Sequence, residues 1–101
     1  MNQIEIISIN QMVSQGQGNI VSDMDGEKVM LSIQNGKYYN LGEMGGEIWE
    51  LMKEPISIQS LVSTLCSIYD VDQTVCEEQV IAFIAKLQDE DLIQMEDMDR
   101  S

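Results

Sequence analysis

Residues 29–41 read VMLSIQNGKYYNL, two short apolar runs on either side of Asn35-Gly36. Both runs, Val29–Ile33 and Lys37–Leu41, are rich in the β-branched and aromatic residues that favour strands. Asn-Gly is the preferred dipeptide of a two-residue type I′ turn, because both of its residues must adopt positive φ. The pattern therefore predicts an antiparallel β-hairpin.

A two-residue turn places Ile33 opposite Tyr38 and sorts the hairpin side chains onto two faces. One face carries Val29, Leu31, Ile33 and Tyr38, and the other carries Met30, Tyr39 and Leu41. Both faces are partly apolar. We expect one of them to cover the helices of the same domain.

The segments before the hairpin contain further strand signals. Asp25-Gly26 is a second turn dipeptide, and Asn19–Ser22 before it is a suitable partner strand, which gives a three-stranded antiparallel meander. Ile4–Ile9 is also strand-like, but the break at residues 16–18 leaves its pairing open. We treat residues 1–18 as an N-terminal extension.

After Leu41 the apolar period changes from two to that of helices. We predict helices over residues 43–53, ended by Pro55, and over 58–69, capped by Ser57. A third helix over 73–89 follows either Asp72 or Thr74 as its cap. The expected fold is α+β, with an N-terminal three-stranded antiparallel sheet packed on three helices within one domain, residues 19–94.

The C-terminal residues are strongly acidic. Residues 89–101 hold six carboxylates and one arginine. We expect Leu92 and Ile93 to dock on the domain and residues 95–101 to form a solvated acidic tail.

Composition excludes several classes of function. The chain has 101 residues, five basic and eighteen acidic, for a net charge of −13. Such a charge opposes binding to nucleic acid and to anionic membranes. Without a secretion signal or a long apolar run, the chain is expected to be cytoplasmic.

Few residues suit catalysis or metal binding. The chain has no histidine, and its two cysteines, Cys66 and Cys76, are separated by nine residues, unlike a zinc or redox motif. The glutamates of the first helix, at 43, 47, 50 and 54, fit a solvated face, and Asp23–Glu27 fits a hairpin turn better than a calcium loop. We expect no cofactor and no enzymatic activity.

The last strand of the meander is the informative feature. If strand order follows the sequence, Lys37–Leu41 lies at an edge, and apart from Lys37 it lacks the charges, prolines or bulges that protect exposed edges. An extended peptide could add there as a further strand. The alternative is that the third helix covers this edge, and the pattern alone leaves both open.

The third helix carries a wide apolar stripe. Val80, Ile84 and Leu87 are expected to face the core. The flank beside them consists of Cys76, Gln79, Phe83 and Lys86, and we expect it to line a groove beside the strand edge. For Phe83, a place in the core is equally consistent with the spacing.

Several motifs in order resemble those of the PqqD-like proteins. They are Glu27-Lys-Val-Met-Leu-Ser, Gly36-Lys-Tyr-Tyr-Asn-Leu, Gly46-Glu-Ile-Trp-Glu-Leu-Met, Pro55-Ile-Ser-Ile, Tyr69-Asp-Val-Asp, Val80-Ile-Ala-Phe-Ile-Ala-Lys-Leu and Leu92-Ile93. The Ile-Trp pair and the Tyr-Asp-Val turn look most like the stand-alone form found in lasso-peptide clusters. Gly42 departs from the pattern, since many relatives carry asparagine there.

The resemblance implies a winged helix-turn-helix-like peptide-recognition element that binds the leader of a ribosomal precursor peptide against strand three and helix three. It also implies that the bound leader is presented to a separate cysteine protease and an ATP-dependent macrocyclase. Leaders of related systems carry a Tyr-x-x-Pro signature. The expected peptide-binding residues are Met30, Lys37, Tyr38, Tyr39, Asn40, Leu41, Val75, Cys76, Gln79, Phe83 and Lys86. The alternative is an acidic winged helix-turn-helix domain with a protein-interaction or regulatory role.

Overall fold

The computed structural model describes residues 7–97, which form two three-stranded antiparallel sheets and three helices. The elements follow in the order β1 (Gln11–Gln15), β2 (Asn19–Met24), β3 (Glu27–Ser32), β4 (Lys37–Leu41), α1 (Gly42–Leu51), β5 (Ile56–Ser57), α2 (Ile58–Ile68), α3 (Gln73–Asp89) and β6 (Ile93–Asp97). The predicted α+β architecture of a three-stranded sheet on three helices is confirmed, and a second sheet is added to it.

The first sheet has the order β2-β3-β4, which confirms the predicted meander. The two-residue turn joins β2 to β3, where Asp25 and Gly26 both have positive φ, 57° and 86°. These are the dihedral signs of a type I′ turn.

The turn predicted at Asn35-Gly36 is wrong. Only Gly36 has positive φ there, and β3 and β4 are joined by a four-residue loop over 33–36 in which the Gly36 amide donates to the Ser32 carbonyl at 2.8 Å. The Asn35 amide donates instead to the Ser32 hydroxyl at 3.1 Å, a local bond that holds this wider loop.

The longer loop changes the register but not the faces. Tyr38 lies opposite Leu31 instead of Ile33, a slip of two positions. Because side chains alternate with a period of two, an even slip keeps each residue on its predicted face. Met30, Tyr39 and Leu41 do face the core, whereas Ile33 lies in the loop and is exposed.

The second sheet has the order β5-β1-β6, and it lies where no pairing was predicted. β1 falls within residues 1–18, and β6 pairs with it from Gln11↔Asp97 to Gln15↔Ile93. Residues 95–97 are therefore strand, so the expectation of a solvated tail there is wrong. Residues 7–10 are not strand, and the rest of the Ile4–Ile9 prediction lies outside the described residues.

The helix predictions agree closely with the structure. The third helix matches at both ends, and the first two differ by two residues or fewer at each end. Ser57 caps α2 by accepting the Ser60 amide at 3.0 Å. Asp72, not Thr74, caps α3 by accepting the Val75 amide at 3.4 Å.

One apolar core holds both sheets and all three helices together. Its buried members are Val13, Met30, Leu41, Ile48, Trp49, Met52, Ile58, Leu61, Val62, Leu65, Cys76, Val80, Ile84, Leu87, Leu92 and Ile93. Every described element except β2 and β5 contributes at least one of them. Among residues 7–97, no helix has both the length and the apolar character needed to cross a membrane.

Candidate functional site

β4 has one edge without a partner strand in the described sheet. It pairs with β3 on one side only, since the sheet ends at β4. In an antiparallel pair, alternate residues direct their N–H and C=O groups away from the partner strand. The free edge of Lys37–Leu41 therefore presents backbone donors and acceptors that another strand can use.

A cavity of about 340 Å³ lies between this strand and α3. Its lining consists of Tyr39, Asn40, Leu41, Phe83, Lys86, Leu87, Glu90 and Leu92. Leucine and phenylalanine side chains form much of its surface, and the polar groups of Lys86 and Glu90 stand beside them. Helix α3 thus forms the second wall of a groove along β4, which we call the β4–α3 groove.

Phe83 owes its place in this wall to a glycine of α1. A Cβ atom built on Gly45 would lie 2.9 Å from Cζ of Phe83, so the ring packs directly on the backbone of α1. The neighbouring Gly46 is covered in the same way by the aliphatic part of Lys28. Two consecutive glycines therefore let β3 and α3 approach α1 from two directions.

The end of α3 completes the groove through a Schellman motif. The Leu92 amide donates to the Leu87 carbonyl at 2.9 Å, and the Asp91 amide donates to the Gln88 carbonyl at 3.0 Å. Asp91 has φ of 64°, the left-handed conformation that this motif requires after the helix cap. The turn brings Leu92 back to the same cavity as Leu87.

Polar side chains join the two walls at one end of the groove. The Tyr39 hydroxyl donates to Oε1 of Glu90 at 2.7 Å. Nδ2 of Asn35 donates to the Glu90 carbonyl at 2.8 Å and to the Tyr39 hydroxyl at 3.1 Å. Lys37 adds an exposed ion pair with the same carboxylate at 3.7 Å.

The structure brings several of the predicted site residues together. Tyr39, Asn40, Leu41, Phe83 and Lys86 all line the β4–α3 groove. The exposed side chains of Lys37 and Tyr38 are on the same strand, and Gln79 and Val75 are exposed on the first half of α3.

Two predicted site residues lie in the core instead. Met30 and Cys76 are both 0% exposed, so neither side chain lines the groove. Cys76 continues the stripe of Val80 and Ile84 one turn towards the start of α3, and its thiol faces the Val62 carbonyl of α2. Met30 lies on the inner face of the central strand. Their assignment to the groove is wrong.

Sequence reasoning missed four residues of the groove region: Asn35, Leu87, Glu90 and Leu92. Leu87 was assigned to the core, and the other three follow from the loop and the Schellman turn, neither of which was predicted. The Gly45-Gly46 pair was the available signal, because two adjacent glycines inside a helix indicate close approach of neighbouring elements.

Lys86 differs from the other lysines of residues 7–97. Lys28, Lys37 and Lys53 each form an ion pair, with Asp23, Glu90 and Glu50. No ion pair of Lys86 is found in that part of the chain, and its side chain borders the groove. The groove thus offers an anionic ligand one cation in a strongly acidic protein.

The buried Cys76 thiol shows no sign of activation. Burial, followed by the neighbouring Cys66, raises the pKa of Cys76, which favours the neutral thiol at physiological pH. A reactive cysteine has the opposite shift. Between residues 7 and 97, no cluster of three or more possible metal-ligating side chains is present.

A larger depression, of about 890 Å³, lies beside Ile7, Ala82, Ala85 and Asp89. Its lining includes no strand residue, so it offers no backbone edge to an extended ligand. The smaller β4–α3 groove combines a free edge with an apolar wall, and on that ground it is the better candidate site.

Comparison with protein-family models finds a match over most of the chain. The family model for coenzyme PQQ synthesis protein D (PqqD) matches residues 27–93. This range includes the β3–β4 hairpin, all three helices and every residue that lines the groove. No curated protein sequence matches the chain.

Three solved structures share the fold. TbiB1, in complex with the TbiA(beta) leader peptide, has a TM-score of 0.72 and 27% identity, with 80% of this chain and 94% of that chain covered. A lasso peptide synthetase B1 complexed with a leader peptide has a TM-score of 0.71 and 21% identity, with coverage of 81% and 96%. The PqqD truncation of Methylobacterium extorquens PqqCD, a stand-alone RiPP recognition element, has a TM-score of 0.75 and 14% identity, with coverage of 88% and 95%.

Proposed function

The chain belongs to the PqqD family, and from that premise we propose that it is a leader-peptide-binding protein of lasso-peptide biosynthesis. The leader of a ribosomal precursor binds in extended form along Lys37–Leu41 and adds a fourth strand to the sheet. Side chains of the leader that point towards α3 enter the β4–α3 groove.

The observation that carries this proposal is a free strand edge beside an apolar cavity. An edge alone accepts any strand, because backbone hydrogen bonds contain no sequence information. A cavity beside the edge adds selection of side chains, which is how β-strand addition gains specificity. The leader complex of the solved relative with 27% identity supports the same kind of ligand.

Approximate energetics show why the cavity is needed. About four backbone hydrogen bonds at about 1 kcal/mol each are offset by ordering ~4–5 peptide residues at ~1–2 kcal/mol apiece. Burial of one aromatic side chain, ~150–250 Å² at about 25 cal/mol/Å², contributes roughly 4–6 kcal/mol before association costs. An aromatic leader residue in the groove therefore supplies most of the net affinity.

The proposal includes two protein partners and a location. The bound leader is presented to a separate cysteine protease that removes it, and the precursor core is closed by an ATP-dependent macrocyclase. The chain itself performs no chemistry, in keeping with its neutral, buried Cys76 thiol. Because the cyclase consumes ATP, the proposed location is the cytoplasm.

The test is a titration of the protein with a synthetic leader peptide, encoded by the open reading frame beside its gene. We expect Phe83→Ala to weaken binding more than tenfold, about 1.4 kcal/mol, because the ring forms part of the groove wall. Stability should fall by less than the ~3–5 kcal/mol typical of a fully buried phenylalanine. Lys86→Glu should slow association and alter its salt dependence, if the leader places an acidic residue at the groove.

Ile84→Ala provides the matched control, since Ile84 is the next residue of α3 and is 0% exposed. It should lower the free energy of unfolding by about 2–5 kcal/mol while the folded fraction binds the leader normally. Unchanged affinity in folded Phe83→Ala and Lys86→Glu proteins would place the site elsewhere.

A further inference from the structure

The hydrogen bonds among Asn35, Tyr39 and Glu90 form a connection that we call the Glu90 bridge. It joins the loop and strand of one groove wall to the end of α3, the other wall. Within residues 7–97, no other side-chain hydrogen bond joins the β2–β4 sheet to α3. Only the longer, exposed ion pair of Lys37 with the same carboxylate reinforces it.

The bridge uses polar groups that the fold would otherwise leave without partners. The last carbonyls of a helix receive no hydrogen bond from an amide of the same helix. At the cap residue of α3, the side-chain amide of Asn35 donates this missing hydrogen bond to the Glu90 carbonyl. The Schellman turn holds Glu90 at the helix cap, so its side chain has a fixed starting point. All three residues of the bridge are half-buried, which limits competition from water.

Because of its position, the bridge sets the width of the groove in which the leader binds. Tyr39 and Glu90 also line the cavity, so the bridge spans the groove where the two walls come together. Further back along α3, Phe83 rests on Gly45 of α1, not on β4, and it does so through apolar atoms alone, so the ring can shift there without losing a hydrogen bond. The bridge is the directional contact that fixes how far β4 lies from α3.

We propose that Tyr39 and Glu90 are positioning residues, which hold the β4–α3 groove at the width a leader strand needs before the leader arrives. This inference rests on the proposed function and deepens it. In the free protein the Tyr39 hydroxyl already donates its proton to Glu90. The bridge therefore acts on the shape of the free protein, before the leader binds. Loss of the bridge lowers the fraction of molecules whose groove is ready to bind, and apparent affinity falls by that fraction.

Binding kinetics separate this role from a direct contact with the peptide. A smaller binding-competent fraction lowers the association rate and leaves the dissociation rate nearly unchanged, whereas a lost peptide contact mainly raises the dissociation rate. The experiment measures both rates by stopped-flow fluorescence with the labelled synthetic leader, for Tyr39→Phe, Glu90→Ala and the double variant. Tyr69→Phe is the matched control, because it removes the same hydroxyl from a tyrosine at the end of α2, which does not line the groove.

We expect each single variant to associate about five- to tenfold more slowly, with a melting temperature close to that of the wild type. The double variant should be no slower than Glu90→Ala, because both single variants remove the same Tyr39–Glu90 side-chain hydrogen bond. Tyr69→Phe should bind as the wild type does. The proposal is overturned if the single variants associate normally, if their losses add, or if only dissociation changes. Absence of leader binding by the wild-type protein would refute the proposed function itself, and the bridge's role with it.

Discussion

Gly45 shows how one missing side chain determines the shape of the site. The ring of Phe83 occupies the space that a Cβ atom would take, and it approaches within 2.9 Å of that position. An approach this close requires the neighbour to move. The neighbour is the far end of a side chain that borders a cavity, so it has room to move into the groove.

We therefore predict that Gly45→Ala weakens leader binding with little loss of stability. Alanine gains about 0.5–1 kcal/mol over glycine inside a helix, which offsets the displacement of the ring. The displaced ring narrows the groove, and we expect affinity to fall about five- to tenfold, or roughly 1–1.4 kcal/mol. Leader titration and thermal unfolding of the same samples measure the two effects separately.

Gly46→Ala is the control for this prediction. The three atoms nearest to its Cβ would all belong to Lys28, with Cγ at 3.0 Å, on the side of α1 that faces β3. These atoms lie close to the Lys28 backbone, so Gly46→Ala should cost some stability, but Lys28 does not border the groove, so leader affinity should stay unchanged. Equal loss of affinity in both variants would contradict the account of Gly45.

The strands of the second sheet are the elements that local sequence pattern indicated least clearly. β1 has a mixed sequence, QMVSQ, with one fully buried residue, Val13. β6 begins in the acidic segment whose composition is typical of a solvated tail. Their pairing joins residues about 80 positions apart, and such contacts are decided by tertiary packing rather than by local preference.

Sequence signals predicted structure reliably where the interactions behind them lie within a few residues of one another. Ser57 and the pattern of α3 predicted helix positions to within a residue, because caps and apolar periodicity act over one or two turns. The Asn35-Gly36 turn failed because the Ser32 hydroxyl and carbonyl together stabilise a wider loop. The pattern predicted that β4 lies at a sheet edge but left Phe83 open between the groove and the core, whereas the Glu90 bridge depends on that unpredicted loop.

Gly16 tests the junction between β1 and the α3–β6 turn. Its amide donates to the Leu92 carbonyl at 2.9 Å, and a Cβ there would lie 2.6 Å from that same carbonyl oxygen. Backbone atoms cannot give way as a side chain does. We predict that Gly16→Ala lowers the free energy of unfolding by about 1–3 kcal/mol, a cost typical of overpacking.

Thermal unfolding measures this effect, with a fall in melting temperature of about 4–8 °C for each kcal/mol in a domain of this size. Gln17→Ala, at the next and exposed position, should change stability by less than about 0.5 kcal/mol. A Gly16→Ala protein as stable as the wild type would show that β1 does not pack as described.

The net charge of the chain separates it from DNA-binding proteins that have a similar arrangement of helices and strands. A net charge of −13 repels phosphates in every orientation, although the three helices and hairpin resemble a winged helix-turn-helix. We predict no specific binding to duplex DNA at physiological salt in an electrophoretic or fluorescence-anisotropy assay. A salt-dependent submicromolar complex with any duplex would overturn this prediction.

The central claim is that a leader peptide adds as a strand to the free edge of β4, and backbone amide chemical shifts test it most directly. The amide signals of the isotope-labelled protein are recorded before and after addition of the synthetic leader. The account predicts the largest changes at residues 37–41, with a second group on the part of α3 that contains Phe83 and Lys86. Changes confined to α1 and α2, with residues 37–41 unaffected, would contradict it.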